Sequence, residues 1–129
     1  MKIEKYGTAG DIQELLAVRD SIDELLNAES GTSPLAPRAD LYDIGDAYQV
    51  HLEVPGVGQA DLEIAVQGDD LLVAGLRDNH LKEQTALFTE RANGPFQRTI
   101  RLPGAVDRDA ARAHLKLGVL IVTLPKAAD

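Results

Sequence analysis

Gly118-Val119-Leu120-Ile121-Val122-Thr123-Leu124-Pro125-Lys126 decides how the rest of the chain is read. Six β-branched or leucine residues stand between a glycine and a proline. They are too few to span a membrane and too rich in Val, Ile and Thr to favour a helix. The stretch predicts one buried strand, with Gly118 supplying the unusual backbone angles of the turn into it and Pro125 ending the ladder. The sheet that covers it must come from upstream.

Working back, Ala113 and Leu115 alternate with His114 and Lys116, and an acidic-basic connection from Asp107 to Ala111 precedes them. Before Pro103-Gly104, Phe96, Arg98, Ile100 and Leu102 share one face of a strand whose other face carries Gln97, Thr99 and Arg101. Arg98 stands on the apolar side. Burying an unpaired guanidinium costs several kcal/mol, so either the alternation breaks there, the side chain snorkels from a sheet edge, or a carboxylate reaches it. Leu87-Phe88-Thr89 is strand-like but too short to stand alone, and it follows a patternless polar run from Asp78 to Gln84. It needs a partner edge.

Between Pro37 and that run the period is two. Leu41-Tyr42 begins a strand, Gly45-Asp46 turns it into Tyr48, Val50, Leu52 and Val54, and Pro55-Gly56 closes that strand. Leu62, Ile64 and Val66 then alternate with Asp61, Glu63 and Ala65, and Gly68-Asp69 leads into Leu71-Leu72-Val73-Ala74. Short strands at regular spacing, with no helical period between them, predict an all-β sandwich or barrel.

The first 37 residues read differently. Ile12, Leu15, Leu16, Val18, Ile22, Leu25 and Leu26 recur at threes and fours, predicting an amphipathic helix that Asp11 and Glu14 cap and that closes at Asn27. The linker from Glu29 to Pro37 separates this arm from the body. The apolar stripe either docks on the body or stays partly exposed, since such a linker lets it swing free.

Composition bounds the function. The chain has 129 residues, enough for one domain and an appendage. Its net charge of −8 argues against sequence-independent nucleic-acid binding, which needs Lys and Arg to neutralise phosphates. With no cysteine there is no disulfide frame, thiol chemistry or thiolate metal site. The N-terminal Met-Lys-Ile-Glu-Lys-Tyr-Gly lacks the apolar core of a signal peptide, which predicts a cytoplasmic protein. His51, His80 and His114 are dispersed. Serines occur only at 21, 30 and 33, and Gly56-Val57-Gly58 lacks the context of a nucleotide loop. No catalytic, cofactor or metal site is expected, and no membrane partner.

Four pieces stand in order: Val54-Pro55-Gly56-Val57; Glu90-Arg91 followed by Gly94-Pro95-Phe96-Gln97-Arg98; Leu102-Pro103; and Ala113-x-x-x-x-Gly118-Val119-Leu120 running on to Leu124-Pro125-Lys126. Together they resemble the α-crystallin domain of the small heat-shock proteins, bacterial type. The resemblance implies an immunoglobulin-like sandwich of two antiparallel sheets over residues 38–126. Residues 1–37 then form the arm and linker, and residues 127–129 a short end without the family's Ile-x-Ile or Ile-x-Val motif.

It also implies an ATP-independent chaperone that binds non-native clients and passes them to ATP-dependent chaperones. Client binding would lie with Ile12, Leu15, Leu16, Ile22, Leu25 and Leu26 of the arm, and with a groove lined by Ile64, Val66, Leu115 and Leu117. A homodimer would form by strand exchange, the segment of Leu87, Phe88, Thr89 and Glu90 pairing with the partner's strand near Leu41. Arg98 matches the family's Phe-x-Arg arginine, which pairs with acidic groups at that interface. Leu117 departs from the Asn or Asp usual before Gly-Val-Leu. The rival readings are an interaction module binding one folded chaperone, and an adhesion-type immunoglobulin domain, which lacks its expected Cys and Trp.

Overall fold

The computed structural model describes residues 14–16, 18–19, 35–78 and 83–128. Nine strands lie among them, in two sheets that pack face to face. They are β1 (Glu14–Leu16), β2 (Val18–Arg19), β3 (Ala39–Asp43), β4 (Ala47–Glu53), β5 (Leu62–Gln67), β6 (Asp70–Arg77), β7 (Gly94–Arg101), β8 (Arg112–Lys116) and β9 (Val119–Pro125). One sheet runs β1-β8-β9-β4-β3 and the other β2-β5-β6-β7. Every pairing is antiparallel except the two-residue contact of β2 with β5.

Alternation builds the core. Val50 and Leu52 of β4, Leu120, Val122 and Leu124 of β9, and Ala113 of β8 meet Ile64, Val66, Leu71, Val73 and Phe96 of the other sheet, each at most 2% exposed. Burying a Val, Leu or Ile side chain contributes about 1.5–3 kcal/mol, so the inward faces fix the register: a slip by one residue would turn them outward. The Gly118 stretch is β9, the central strand, paired with both β4 and β8. Its loop from β8 is Leu117-Gly118, at φ +52° and +79°.

Pro125 ends β9 as expected, although its acceptor stays in use. It pairs with Ala47, its carbonyl accepts from the Asp107 amide at 2.8 Å, and Lys126 donates to the Asp46 carbonyl at 2.9 Å and bridges Val106. Proline only lacks a donor, and here its acceptor is what the neighbouring segment uses. The connection after Asp107 is a single turn at Arg108–Ala110, whose start the Asp107 carboxylate caps by accepting from the Asp109 amide at 3.1 Å.

The expected arm helix needs correction where the chain is described. Glu14–Leu16 pairs with β8 and Val18–Arg19 with β5, so both are strands. Each completes the free edge of a sheet, which offers the arm's backbone hydrogen bonds that a lone helix of this length holds only marginally in water. The remainder of the expected helix, with Ile12, Ile22, Leu25 and Leu26, lies outside the described residues.

The outer face of the β5–β6 pair is partly buried. Ala65, Leu72 and Ala74 alternate with core residues and so face away from the core, yet they form a second buried cluster.

Candidate functional site

Three surfaces carry the residues that the sequence singles out. The first is the edge of β3, the last strand of its sheet. Its chain direction is set at Pro37, whose carbonyl accepts from Arg98 Nη1 at 2.9 Å. Leu41 is 38% exposed, and Tyr42 and the following Ile44 are exposed beside it. The Tyr42 hydroxyl donates to Asp40 Oδ2 at 3.1 Å, and that carboxylate holds it above the ordinary phenol value. Its ring meets His51 edge-on, with centroids 5.0 Å apart. Lys126 secures the far end of this strand. Its ammonium lies 3.0 Å from Asp43 and over the Tyr48 ring. The Gly45 amide, and after it Lys126, hold the Asp43 carboxyl below the usual range.

The second surface is the irregular segment 83–93, between β6 and β7. Leu87 is 95% exposed and Phe88 79%, with Thr89 and Glu90 exposed next to them. None of the four belongs to a strand of this chain, as its short apolar length predicts. The segment curls around a concavity lined in part by Phe88, Glu90 and Arg91, and the Arg91 guanidinium lies against the Pro55-Gly56 turn.

The third comprises the edges of β5 and β8. Ile64 and Val66 are wholly buried and Leu115 nearly so, while Leu117 stands 93% exposed in the turn. The structure therefore gathers three of these residues into or beside the core and leaves the fourth outside it. In place of an open groove the two edges carry the arm: Leu15 and Leu16 pair with His114 and Ala113, and Val18 with Ile64.

Arg98 keeps the strand's alternation. It sits half-buried on edge strand β7, beside Val73, and its Nη1 donates to a main-chain carbonyl, that of Pro37. The acceptor lies 61 residues away, which no local pattern could reveal. Tyr42 and Ile44 were missed as surface residues, although an apolar pair flanking a turn on an edge strand was the available signal.

Chemically these surfaces offer backbone edges and apolar side chains. Among the described residues no three potential metal ligands gather, and no helix is long and apolar enough to cross a membrane. His51 is bound to Gln49 at 2.9 Å, and His114 lies across Ile121 from it; His80 is outside the described residues. Among the described residues, the buried Arg77 Nε finds no hydrogen-bond partner.

Residues 40–129 match the Hsp20/alpha crystallin family. The chain is 38% identical over 98 residues to spore protein SP21 of Stigmatella aurantiaca, covering 74% of this chain and 58% of that protein. It is 33% identical to small heat shock protein C2 of Rickettsia felis, covering 71% of this chain and 61% of the relative. The match thus spans about three fifths of these relatives' length. Among solved structures, heat shock protein 16.0 from Schizosaccharomyces pombe superposes with a TM-score of 0.68 at 33% identity, covering 72% of this chain and 88% of that one. With two sheets in this order and a family match across nearly the whole sandwich, the chain belongs to the Hsp20/alpha crystallin family.

Proposed function

We propose that the protein is an ATP-independent holdase that binds partly unfolded client proteins in the cytoplasm and prevents their aggregation. The observation that carries this reading is the kind of surface the fold presents. Leu41, Tyr42 and Ile44 are exposed along and just after the edge strand β3, and Leu87 and Phe88 are exposed in the segment between β6 and β7. Such a surface suits extended, partly unfolded chain, which brings both unsatisfied backbone groups and apolar side chains. The net charge of −8 favours solubility of a loaded complex.

In this reading residues 87–90 pair with Leu41's strand on a second copy, giving a dimer by strand exchange, and Arg98 meets an acidic group of that copy. The arm residues Ile12, Leu15, Leu16, Ile22, Leu25 and Leu26 hold clients. Departure of residues 14–19 from β8 and β5 frees two further edges, and the groove of Ile64, Val66, Leu115 and Leu117 then becomes available. Held clients pass to ATP-dependent chaperones.

The test is light scattering from a heated client protein without ATP. Suppression that saturates with rising protein ratio supports the holdase. Unabated aggregation at several ratios refutes it and favours the module that binds one folded partner.

A further inference from the structure

The outward side chains of the five-stranded sheet fall into rows across β4, β9 and β8. Glu53, Val119 and Lys116 make one row, and His51, Ile121 and His114 the next. Arg112 stands two residues before His114 on β8, and Asp40 lies beside His51 on β3. Charge is therefore sorted by strand: Lys116 and Arg112 on β8, Glu53 and Asp40 on β4 and β3, and the apolar Val119 and Ile121 of β9 between them. Those two are only half-buried, whereas the outward Ala65, Leu72 and Ala74 of the other sheet are sealed. The β9 face is open. Among the described residues, neither Glu53 nor Lys116 is engaged in an ion pair. Beside Val119 opens a hollow of about 190 Å³, lined by Asp40, His51, Glu53 and Arg38, so its carboxylates outnumber its one guanidinium.

This pattern matches itself. A second copy can face it about a two-fold axis lying between the two sheets and running either across the strands or along β9, with Ile121 at the centre. With the axis across the strands, β8 lies over β8, and Lys116 comes over Arg112 of the second copy, cation on cation. With the axis along β9, β8 lies over β4. Lys116 then comes over Glu53 of the second copy, symmetry repeats the pair, and Val119 and Ile121 meet their own counterparts. The net charge of −8 opposes indiscriminate self-association, so these two ion pairs select the face and the axis. Four strands by three rows span roughly 19 Å by 20 Å, about 400 Å². That is half of the roughly 800 Å² per partner of a standard interface, which places the contact among weak associations, on the order of 100 μM.

We propose that the outer face of β4, β9 and β8 docks on the same face of a second copy about a two-fold axis along β9, with Lys116 of each copy entering the hollow beside Glu53 of the other. Strand exchange uses a different surface, the backbone edge of β3 and residues 87–90. The two contacts are therefore compatible, and together they join one exchanged dimer to the next. The face contact rests neither on strand exchange nor on the holdase reading.

The test is sedimentation of the full-length chain carrying Leu87→Ser and Phe88→Ser, which removes the exposed apolar pair of the 83–93 segment and leaves the face to be read alone. Between about 10 μM and 1 mM its mass should rise from one subunit toward two. Glu53 is exposed and Lys116 half-buried, so both tolerate replacement. Glu53→Lys or Lys116→Glu alone sets like charges against each other at both pairs and should weaken association about tenfold or more, while the two together should restore it to within about threefold. Glu53→Gln and Lys116→Gln serve in their place if circular dichroism shows that a reversal does not fold, and each should weaken association. A mass that stays at one subunit up to the highest concentration overturns the proposal, as do single reversals that leave association unchanged. A folded double reversal that stays dissociated overturns the axis along β9. No client enters these measurements, so the face contact and the holdase reading can fail separately.

Discussion

Gly75 and Phe96 are opposite partners in the β6–β7 ladder, and the Phe96 ring fills the space that a side chain at 75 would need. A Cβ there would stand 2.5 Å from Phe96 Cζ, 2.8 Å from the Asp61 carbonyl oxygen and 3.0 Å from Leu62 Cδ2. The ring is buried and the carbonyl is backbone, so neither yields cheaply. Gly75→Ala should cost about 1–3 kcal/mol, seen as a lower urea midpoint with an unchanged slope. A midpoint equal to the parent's would show that the ring has room to move.

The turn from β8 to β9 carries the opposite kind of misfit. Leu117 holds φ at +52° with its side chain 93% exposed, so no packing compensates the left-handed backbone. A two-residue hairpin loop with both φ values positive suits Asn-Gly. Leu117→Asn should therefore gain about 1 kcal/mol, since a left-handed conformation costs a residue with a branched apolar side chain that much. Gly118→Ala should lose stability, because φ is +79° and the new Cβ would meet Pro55 Cα at 3.2 Å. Thermal unfolding of the two variants should move in opposite directions.

The sandwich was legible because its core rests on alternation: Val50, Leu52 and Val54, or Leu120, Val122 and Leu124, state a period of two whatever the partner. The arm was not, because two patterns compete there. Leu15, Leu16 and Val18 carry a helical spacing in isolation, but the edges of β5 and β8 decide their conformation, and those edges exist only once distant strands have paired. Tertiary pairing overrides local propensity in such a case. The acceptor of Arg98 was hidden for the same reason. Burial of Ala65, Leu72 and Ala74 had a sequence signal that alternation alone passes over. The unbroken run Leu71-Leu72-Val73-Ala74 is what a strand covered on both faces looks like.

His114 should make the fold sensitive to mild acid. It lies on β8 beside Ile121, with His51 on the other flank of that residue. Burial first, then Lys116, Arg112 and His51, hold its imidazole below the ordinary histidine value. The folded state therefore resists the proton more than the unfolded chain does. The associated stability is fully present above about pH 6.5 and is lost as pH falls from there through the folded-state value. Asp43 is also shifted downward, but from the carboxylate range, so the loss of its contribution comes at lower pH. His114→Gln should flatten the fall in melting temperature between pH 7.5 and 5.5. An undiminished fall would assign it to other groups.

Leu87 and Phe88 allow the proposed dimer to be separated from the fold of one subunit. They are 95% and 79% exposed, so they contribute almost nothing to the sandwich core. Replacing both by serine should leave unfolding of the single subunit unchanged. If strand exchange buries them on a second copy, the loss of two apolar contacts should weaken the dimer by about 3 kcal/mol or more, over a hundredfold in dissociation constant. Sedimentation of a dilution series reads this directly, and deletion of residues 80–89 should give monomers outright. Arg98→Gln then distinguishes the two partners assigned to that side chain. Its hydrogen bond to Pro37 lies within the chain, and losing a bond from a charged donor costs about 1.5–3 kcal/mol of subunit stability with no change in mass. An ion pair to the partner instead predicts a lower mass at matched concentration. A variant that unfolds earlier but sediments as the parent does would confine Arg98 to holding the start of β3 in place.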